Sequence, residues 1–338
     1  MAQEPSDQLA RQLREAWFRF VDTIEPIRPR LHQYCRRLTR NVWDAEDLLQ
    51  ETLVRAFPAV VRGEKWGNPR AYLFRIATHA WIDEIRRAET RQANELEGER
   101  MTPSKDSLAT RDAAARLIER TSPQERAAVL LKDVFDFSIE DVADLLSTTG
   151  GAIKAALHRG RQRLQETGDI ARPNPRGPSK ELLDKFVAAF EARDVNAITG
   201  LLLENVTLEV PGVGGERGKS MVWIHSSLDV PTPNNPNPPQ RNWVSETVQY
   251  QGEWIVAIWQ APRSASVLAG VNRFEEVEGR IARIWEYHFC PDTIAEVAAA
   301  LGAKAMNHGY RHSPEVLANV IASAVLPWEL EEIGNRRN

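Results

Sequence analysis

Apolar residues recur every three or four positions through the first half of the chain, and at closer, strand-like spacing in much of the second half. From Leu9 to about Ala88 the pattern is helical, with Trp17, Phe20, Val21 and Ile24 on one stripe. The polar stretch AETRQANELEGERMTPSKDS reads as a linker, and a second helical segment covers about Asp106 to Gln165. Three prolines and a glycine in RPNPRGPSK then mark a boundary. Beyond it one helix, KELLDKFVAAFEARDVNAITGLL, precedes the strand-like segments VTLEV, NWVSETVQY and WIVAIWQ. The pair GVNRFEEVEG and RIARIWEYHF reads as a hairpin turning at Gly279. A long Pro/Asn loop, VPTPNNPNPPQ, interrupts the strands, and helical patterns return at DTIAEVAAALG and SPEVLANVIASAV.

Three segments carry candidate chemistry. In DAEDLLQETLVRAF, residues Ala45, Leu48, Leu49, Thr52, Leu53, Ala56 and Phe57 form an apolar stripe, with Asp44, Glu46, Asp47, Gln50 and Glu51 on the other side. Acidic residues near a helix start also complement its dipole, so a solvated face explains them equally well. Next, a loop with Gly63, Gly67, Asn68 and Pro69 feeds a helix bearing Arg70, Arg75, His79, Arg86 and Arg87. Trp66, Tyr72, Phe74 and Trp81 are interleaved with these cations, as on a surface that holds unstacked bases, although most such rings belong to a core.

The third segment, from Thr121 to Gln165, reads as helix, helix, tight turn, helix. Ser122 with Pro123 starts the first helix, and Ser138 with Asp141 makes a capping box for the second. Thr149 caps the third, whose Ile153, Ala156, Leu157, Gly160 and Leu164 face inward. Gly151, Ala152, Lys154, Ala155, His158, Arg159 and Arg161 face outward or lie at the edges. This spacing fits a DNA-reading helix-turn-helix, and a plain three-helix bundle is its alternative.

At 338 residues, with 42% hydrophobic and 27% charged, the chain has material for two or three cores. The net charge of −4 does not exclude nucleic acid, because binding depends on where charge sits. Cys35 and Cys290 are far apart and form no CxxC pair, which suggests a reducing compartment and no metal site. The start MAQEPSDQLARQ lacks an apolar signal core, and no run is apolar enough to span a membrane. A cytoplasmic bacterial location is expected, with no cofactor.

DAEDLLQETLVRAF and AYLFRIATHAWIDEIRR resemble the second conserved region of extracytoplasmic-function (ECF) sigma factors and the helix that follows it. SPQERAAVLLKDVFDFSIEDVADLLSTTGGAIKAALHRGRQRL is similar to their fourth region. The resemblance implies a non-enzymatic factor that binds core RNA polymerase and directs it to promoter DNA. It assigns Asp44, Asp47, Gln50 and Glu51 to the polymerase, and Trp66, Asn68, Arg70, Arg75, His79, Arg86 and Arg87 to the melted −10 element. It assigns Thr149, Gly151, Ala152, Lys154, Ala155, His158, Arg159 and Arg161 to the −35 element. The chain departs from the family at His79, often Asn, at Thr148, usually apolar, and at Gly150, often larger.

Residues Lys180 to Phe289 resemble the SnoaL-like cone, an α+β curved sheet carried as an extension by some ECF factors. The expected architecture is therefore multidomain: all-α units at 9–88 and 111–168, linkers at 89–110 and 169–179, and an α+β domain at 180–338. The last is expected to pack on the sigma units and tune them. Its rival role is a cavity for a small-molecule ligand, with Trp223, Trp254, Trp259, Arg273, Trp285 and His288 as candidate lining. An enzyme fused to a DNA-binding module would draw on Arg273, His288, His225 and Glu286, and the bland reading is that the tryptophans fill the core. A free-standing helix-turn-helix regulator is a further alternative, which leaves the acidic face at Asp44 to Glu51 without a role.

Overall fold

The structure, a computed structural model, describes residues 15–64, 66–98, 122–164, 177–212, 214–219, 243–260, 262 and 266–310. The chain divides into two compact units, Met1–Ile170 and Ala171–Asn338. In the first unit, α1 covers residues 15–24, and α2 (Arg28–Thr39), α3 (Val42–Val61) and α4 (Pro69–Gly98) follow. Asn41 starts α3 by accepting hydrogen bonds from the backbone N–H groups of Trp43 and Asp44 at 2.8 and 3.1 Å. The helix α4 runs ten residues into the stretch expected as a linker from 89, because AETRQANELE is rich in strong helix formers.

The second helical segment begins at α5 (Pro123–Val129), which passes into a π-turn at Leu130–Val134. Then come α6 (Ile139–Leu145) and α7 (Gly150–Leu164). Capping boxes close both Ser122/Glu125 and Ser138/Asp141. The π-turn was not legible in the sequence. It inserts one residue into the ladder, so that Phe135 donates its N–H to the Leu130 carbonyl. Phe135 and Phe137 are then 3% and 5% exposed, and Phe135 packs 5.3 Å from both Tyr34 and Phe74. The two helical segments thus share one hydrophobic core.

One polar cluster lies inside that core's wall. Glu46, expected on the polar side of α3, is fully buried. It accepts from Arg28 Nη2 at 3.1 Å and from Gln50 Nε2 at 2.6 Å, with His32 Nε2 at 3.7 Å. Tyr34 Oη sits 2.8 Å from Thr78 Oγ1, whose own hydroxyl donates to the Phe74 carbonyl at 2.6 Å.

The second unit begins with α8 (Lys180–Glu191) and α9 (Val195–Leu201). Among the described residues seven strands follow: β1 (Leu202–Val210), β2 (Gly214–Arg217), β3 (Trp243–Tyr250), β4 (Glu253–Gln260), β5 (Val267–Val277), β6 (Arg280–Glu286) and β7 (Lys304–Ala305). The helix α10 (Pro291–Ala300) lies between β6 and β7. The sheet order is β2-β1-β6-β5-β4-β3, antiparallel except for β1/β6, with β7 parallel to β5. The α+β order and the expected hairpin are observed: Glu278 and Gly279 turn between β5 and β6 with φ of 53° and 73°, the paired left-handed geometry of a two-residue loop. One sheet face, with Val256, Ile258, Phe274 and Ile284, packs on Leu183 and Phe186 of α8. The expected helix SPEVLANVIASAV, the Pro/Asn loop, and most of both linkers lie outside the described residues.

Removing one partner of a buried, hydrogen-bonded ion pair strands the other charge in the core. Glu46→Ala is therefore expected to lower unfolding free energy by about 3–5 kcal/mol, read from the urea midpoint at unchanged slope.

Candidate nucleic-acid interface

The sharp turn that aims α7 is made by Ser147, which adopts φ of 50°, while the Thr148 N–H returns to the Ala143 carbonyl at 2.9 Å. Thr149 caps α7, its Oγ1 accepting from the Ala152 N–H at 3.2 Å. Ile153, Ala156 and Leu157 are buried, and Gly151, Ala152, Lys154, Ala155, His158, Arg159 and Arg161 are all exposed. At these positions the predicted inward and outward faces match the helix as folded.

The glycines of α7 have different jobs. Gly150 and Gly151 form its first turn, where a Cβ would meet nothing closer than 3.7 and 4.0 Å. Gly160 lies where α7 crosses α5, and a Cβ there would come within 2.7 Å of Val129 Cγ2 and 3.2 Å of the Glu125 carbonyl oxygen. The same crossing positions two arginines. Arg159 Nε donates to Glu125 Oε1 at 2.6 Å from a guanidinium that stays half-exposed. Arg161 grips both oxygens of Asp133 at 2.8 and 2.7 Å, and that hydrogen bonding holds the Asp133 carboxyl below its usual range. The Asp133–Arg161 clamp is consequently present at neutral pH and is lost only as pH falls through that lowered value.

The residues expected at a melted strand are less uniformly available. Arg75, Arg86 and Arg87 are exposed and His79 is half-buried. Asn68 is exposed but caps α4 through the Ala71 N–H at 3.1 Å. Trp66 is half-buried, its ring 5.8 Å from Phe20 and 4.9 Å from Tyr72. Arg70 is half-buried: it donates to the Phe135 carbonyl and stacks 4.5 Å over Phe137. Burial, and then the neighbouring charge of Arg30, lower its pKa. On the acidic face Asp44 and Asp47 are exposed, while Gln50 and Glu51 are half-buried; Gln50 binds Glu46, and Glu51 pairs with Arg55 at 2.5 Å. That face continues into exposed Val54 and Val61, two residues the charge pattern passed over, 64% and 48% exposed.

In the second unit the proposed cavity lining does not gather in one place. Strand register puts Trp254 on the face that packs on α8, and His288 lies over the same face at Gly270. Trp259, Arg273 and Trp285 belong to the opposite face, where Arg273 Nε donates to Glu253 at 2.5 Å and its guanidinium stacks 5.3 Å from Trp285. The pleat alternates sides, so residues 273 and 285 oppose each other while 272 and 286 face inward. Trp223 and His225 lie outside the described residues. Sequence reading missed Asn272, Trp243 and His308 on the inward side; a polar Asn within the apolar run VLAGVNRF was the available signal.

An exposed basic helix after a sharp turn, cross-braced on a second helix, has the arrangement of a helix-turn-helix unit. Sigma-70 region 2 matches residues 23–91, and Sigma-70, region 4 matches residues 111–164. ECF RNA polymerase sigma factor SigG of Mycobacterium tuberculosis is 29% identical over 241 residues, 58% of this chain and 62% of that protein. SigM of the same organism is 31% identical over 137 residues, 40% of this chain and 69% of that one. A crystal structure of M. tuberculosis SigJ aligns with 81% of this chain and 98% of that chain, at 21% identity and a TM-score of 0.30. The chain belongs to the extracytoplasmic-function sigma factor family. It spans 62% of the length of SigG.

The contrast between the α7 glycines is testable by thermal and urea unfolding. Gly151→Ala is expected to stabilise by up to about 1 kcal/mol through helix propensity. Gly160→Ala is expected to destabilise by about 1–3 kcal/mol through overpacking.

Proposed function

We propose that this protein binds core RNA polymerase and directs it to promoters, reading a −35 element with α7 and a melted −10 element with the loop and face around Trp66 to Arg87. The observation that carries this reading is the presence of two differently made surfaces on one unit. The exposed α3 face, with Asp47 and Val54, combines acid with apolar side chains and suits a protein partner. The exposed α7 face, with Lys154, His158, Arg159 and Arg161, suits phosphates and guanine edges. Asp44, Gln50 and Glu51 extend the first surface, and Thr149 to Ala152 bring backbone N–H groups to a phosphate at the second.

The shared core adds a requirement. Elements about 25 base pairs apart are separated by about 85 Å, at about 3.4 Å per pair. A compact unit of this length has a radius of gyration of only about 15 Å. The described arrangement is then a closed form, with Arg70 and the two phenylalanines as its latch, and polymerase binding separates the halves. The second unit tunes that transition.

Purified full-length chain is expected to give core-dependent transcription from its own promoters. Asp47→Arg with Glu51→Arg should weaken core binding at least tenfold and leave duplex binding unchanged, whereas Lys154→Ala with Arg159→Ala should do the reverse. A chain ending at Ile170 should differ from full length in specific transcription, in either direction. Absence of core binding in both lengths, or tight duplex binding that polymerase does not alter, would contradict the proposal.

A further inference from the structure

Two carboxylates hold arginines of α7, and the two holds differ. Arg161 gives Nε and Nη2 to the two oxygens of Asp133 at 2.8 and 2.7 Å. That parallel pair of N–H groups is the fork by which an arginine grips a planar acceptor, whether a carboxylate or the O6/N7 edge of guanine. In Arg161 the fork is closed on Asp133. Arg159 gives Nε to Glu125 Oε1 at 2.6 Å, and its side chain is 53% exposed. A guanidinium carries five N–H donors, and the bond to Glu125 takes one of them.

Glu125 is itself anchored. Its side chain is 7% exposed, and its two oxygens have separate work. Oε1 accepts from Arg159, while Oε2 accepts from the Ser122 N–H at 3.2 Å and closes the capping box at the start of α5. Ser122 Oγ accepts from the Glu125 N–H at 3.2 Å in return. Gly160 sets how near α7 comes: a Cβ there would lie 3.2 Å from the Glu125 carbonyl oxygen and 2.7 Å from Val129 Cγ2, so a side chain would hold α7 off α5. A long exposed side chain loses rotamer freedom when it docks, and one already tied to a fixed carboxylate has lost much of it beforehand. Both residues lie within the α5–α7 segment, so the pair does not depend on how that segment meets α2 and α4.

We infer that Glu125 is a positioning residue for base reading: it orders Arg159 in advance against one guanine of the −35 element, while Arg161, its fork closed on Asp133, braces α7 and meets phosphate. The inference rests on the proposed reading of duplex DNA by α7, and it says where the specificity of that reading lies. Glu125 acts through Arg159 and therefore governs discrimination between base pairs, which phosphate contacts do not supply.

The test uses holoenzyme made from the full chain and core polymerase, offered promoter duplexes randomised across the −35 segment, with the bound sequences counted. The parent is expected to prefer G·C over the other pairs at one position by about tenfold, and Arg159→Ala should flatten that position. Glu125→Leu, which fills the space without a carboxylate, should cut the preference at the same position to below about threefold and leave the others as they were. Added to Arg159→Ala it should flatten nothing further, because the two residues act as one unit. Ser122→Ala should lower the thermal midpoint and change no base preference. Arg161→Ala should weaken all sequences alike. Glu125→Gln keeps the size and serves if Glu125→Leu does not fold, since one amide oxygen cannot accept from both Ser122 and Arg159; it too should lose preference at that position. The inference is overturned by a folded Glu125 variant that keeps the parent's preference, by a loss spread evenly over the −35 segment, or by a position that depends on Arg161 and not on Arg159. A chain that binds no core polymerase overturns the proposed function and this inference together, and shows it in the parent before any variant is made.

Discussion

Phe135 and Phe137, carried inward by a single π-turn, are wedged among Tyr34, Phe74 and the guanidinium of Arg70, and the arrangement of the helical half depends on that wedge. Each buried phenylalanine contributes about 1.5–3 kcal/mol through the water it sheds, with about 0.5–1.5 kcal/mol more per aromatic pair. Those amounts exceed what exposed ion pairs supply, so the wedge and not the surface charge holds α2 and α4 to the α5–α7 bundle. They are also small enough for a large protein surface to outbid, which is what a reversible latch requires.

The latch and the chemistry of recognition share residues. Arg70 donates to the Phe135 carbonyl, so a cation that the proposed function gives to nucleic acid is occupied in this arrangement. Arg126 reaches the Arg37 carbonyl at 2.7 Å, a second backbone tie between the same two segments. Arg159 and Arg161 remain exposed, but Glu125 and Asp133 hold them in fixed orientations. A chain with a net charge of −4 can therefore present a basic reading face, because its acid is invested in bracing that face and in the α3 surface. Duplex binding by such a face should be strongly salt-dependent, since phosphate contacts dominate it.

The sequence carried the local signals well and the long-range ones poorly. Ser122 and Ser138 were recognisable caps because their partners lie three residues away, and the faces of α7 followed from a 3.6-residue period. Glu46 was placed on the polar side because periodicity cannot see Arg28, which sits a helix away and draws the carboxylate inside. The π-turn was invisible because it depends on where Phe135 and Phe137 find partners in another segment. In the second unit the strands were legible, but which of Arg273 and Asn272 faces inward follows from cross-strand register, and one step of the pleat reverses it. The tryptophans drew attention by size, while the residues that converge are Trp243, Asn272, His288 and His308.

In the proposed function the helical unit is closed by the phenylalanine wedge and opened by core polymerase. The distance between labels at Glu89 on α4 and Gln162 on α7 in the full-length chain, free and bound to core polymerase, reads this opening. Both positions are outside the packed core, so labels leave the wedge intact. The account predicts one short distance in the free protein and an increase of more than about 20 Å in the bound one, the least that spanning two promoter elements demands. An unchanged short distance in a complex that initiates transcription would contradict it.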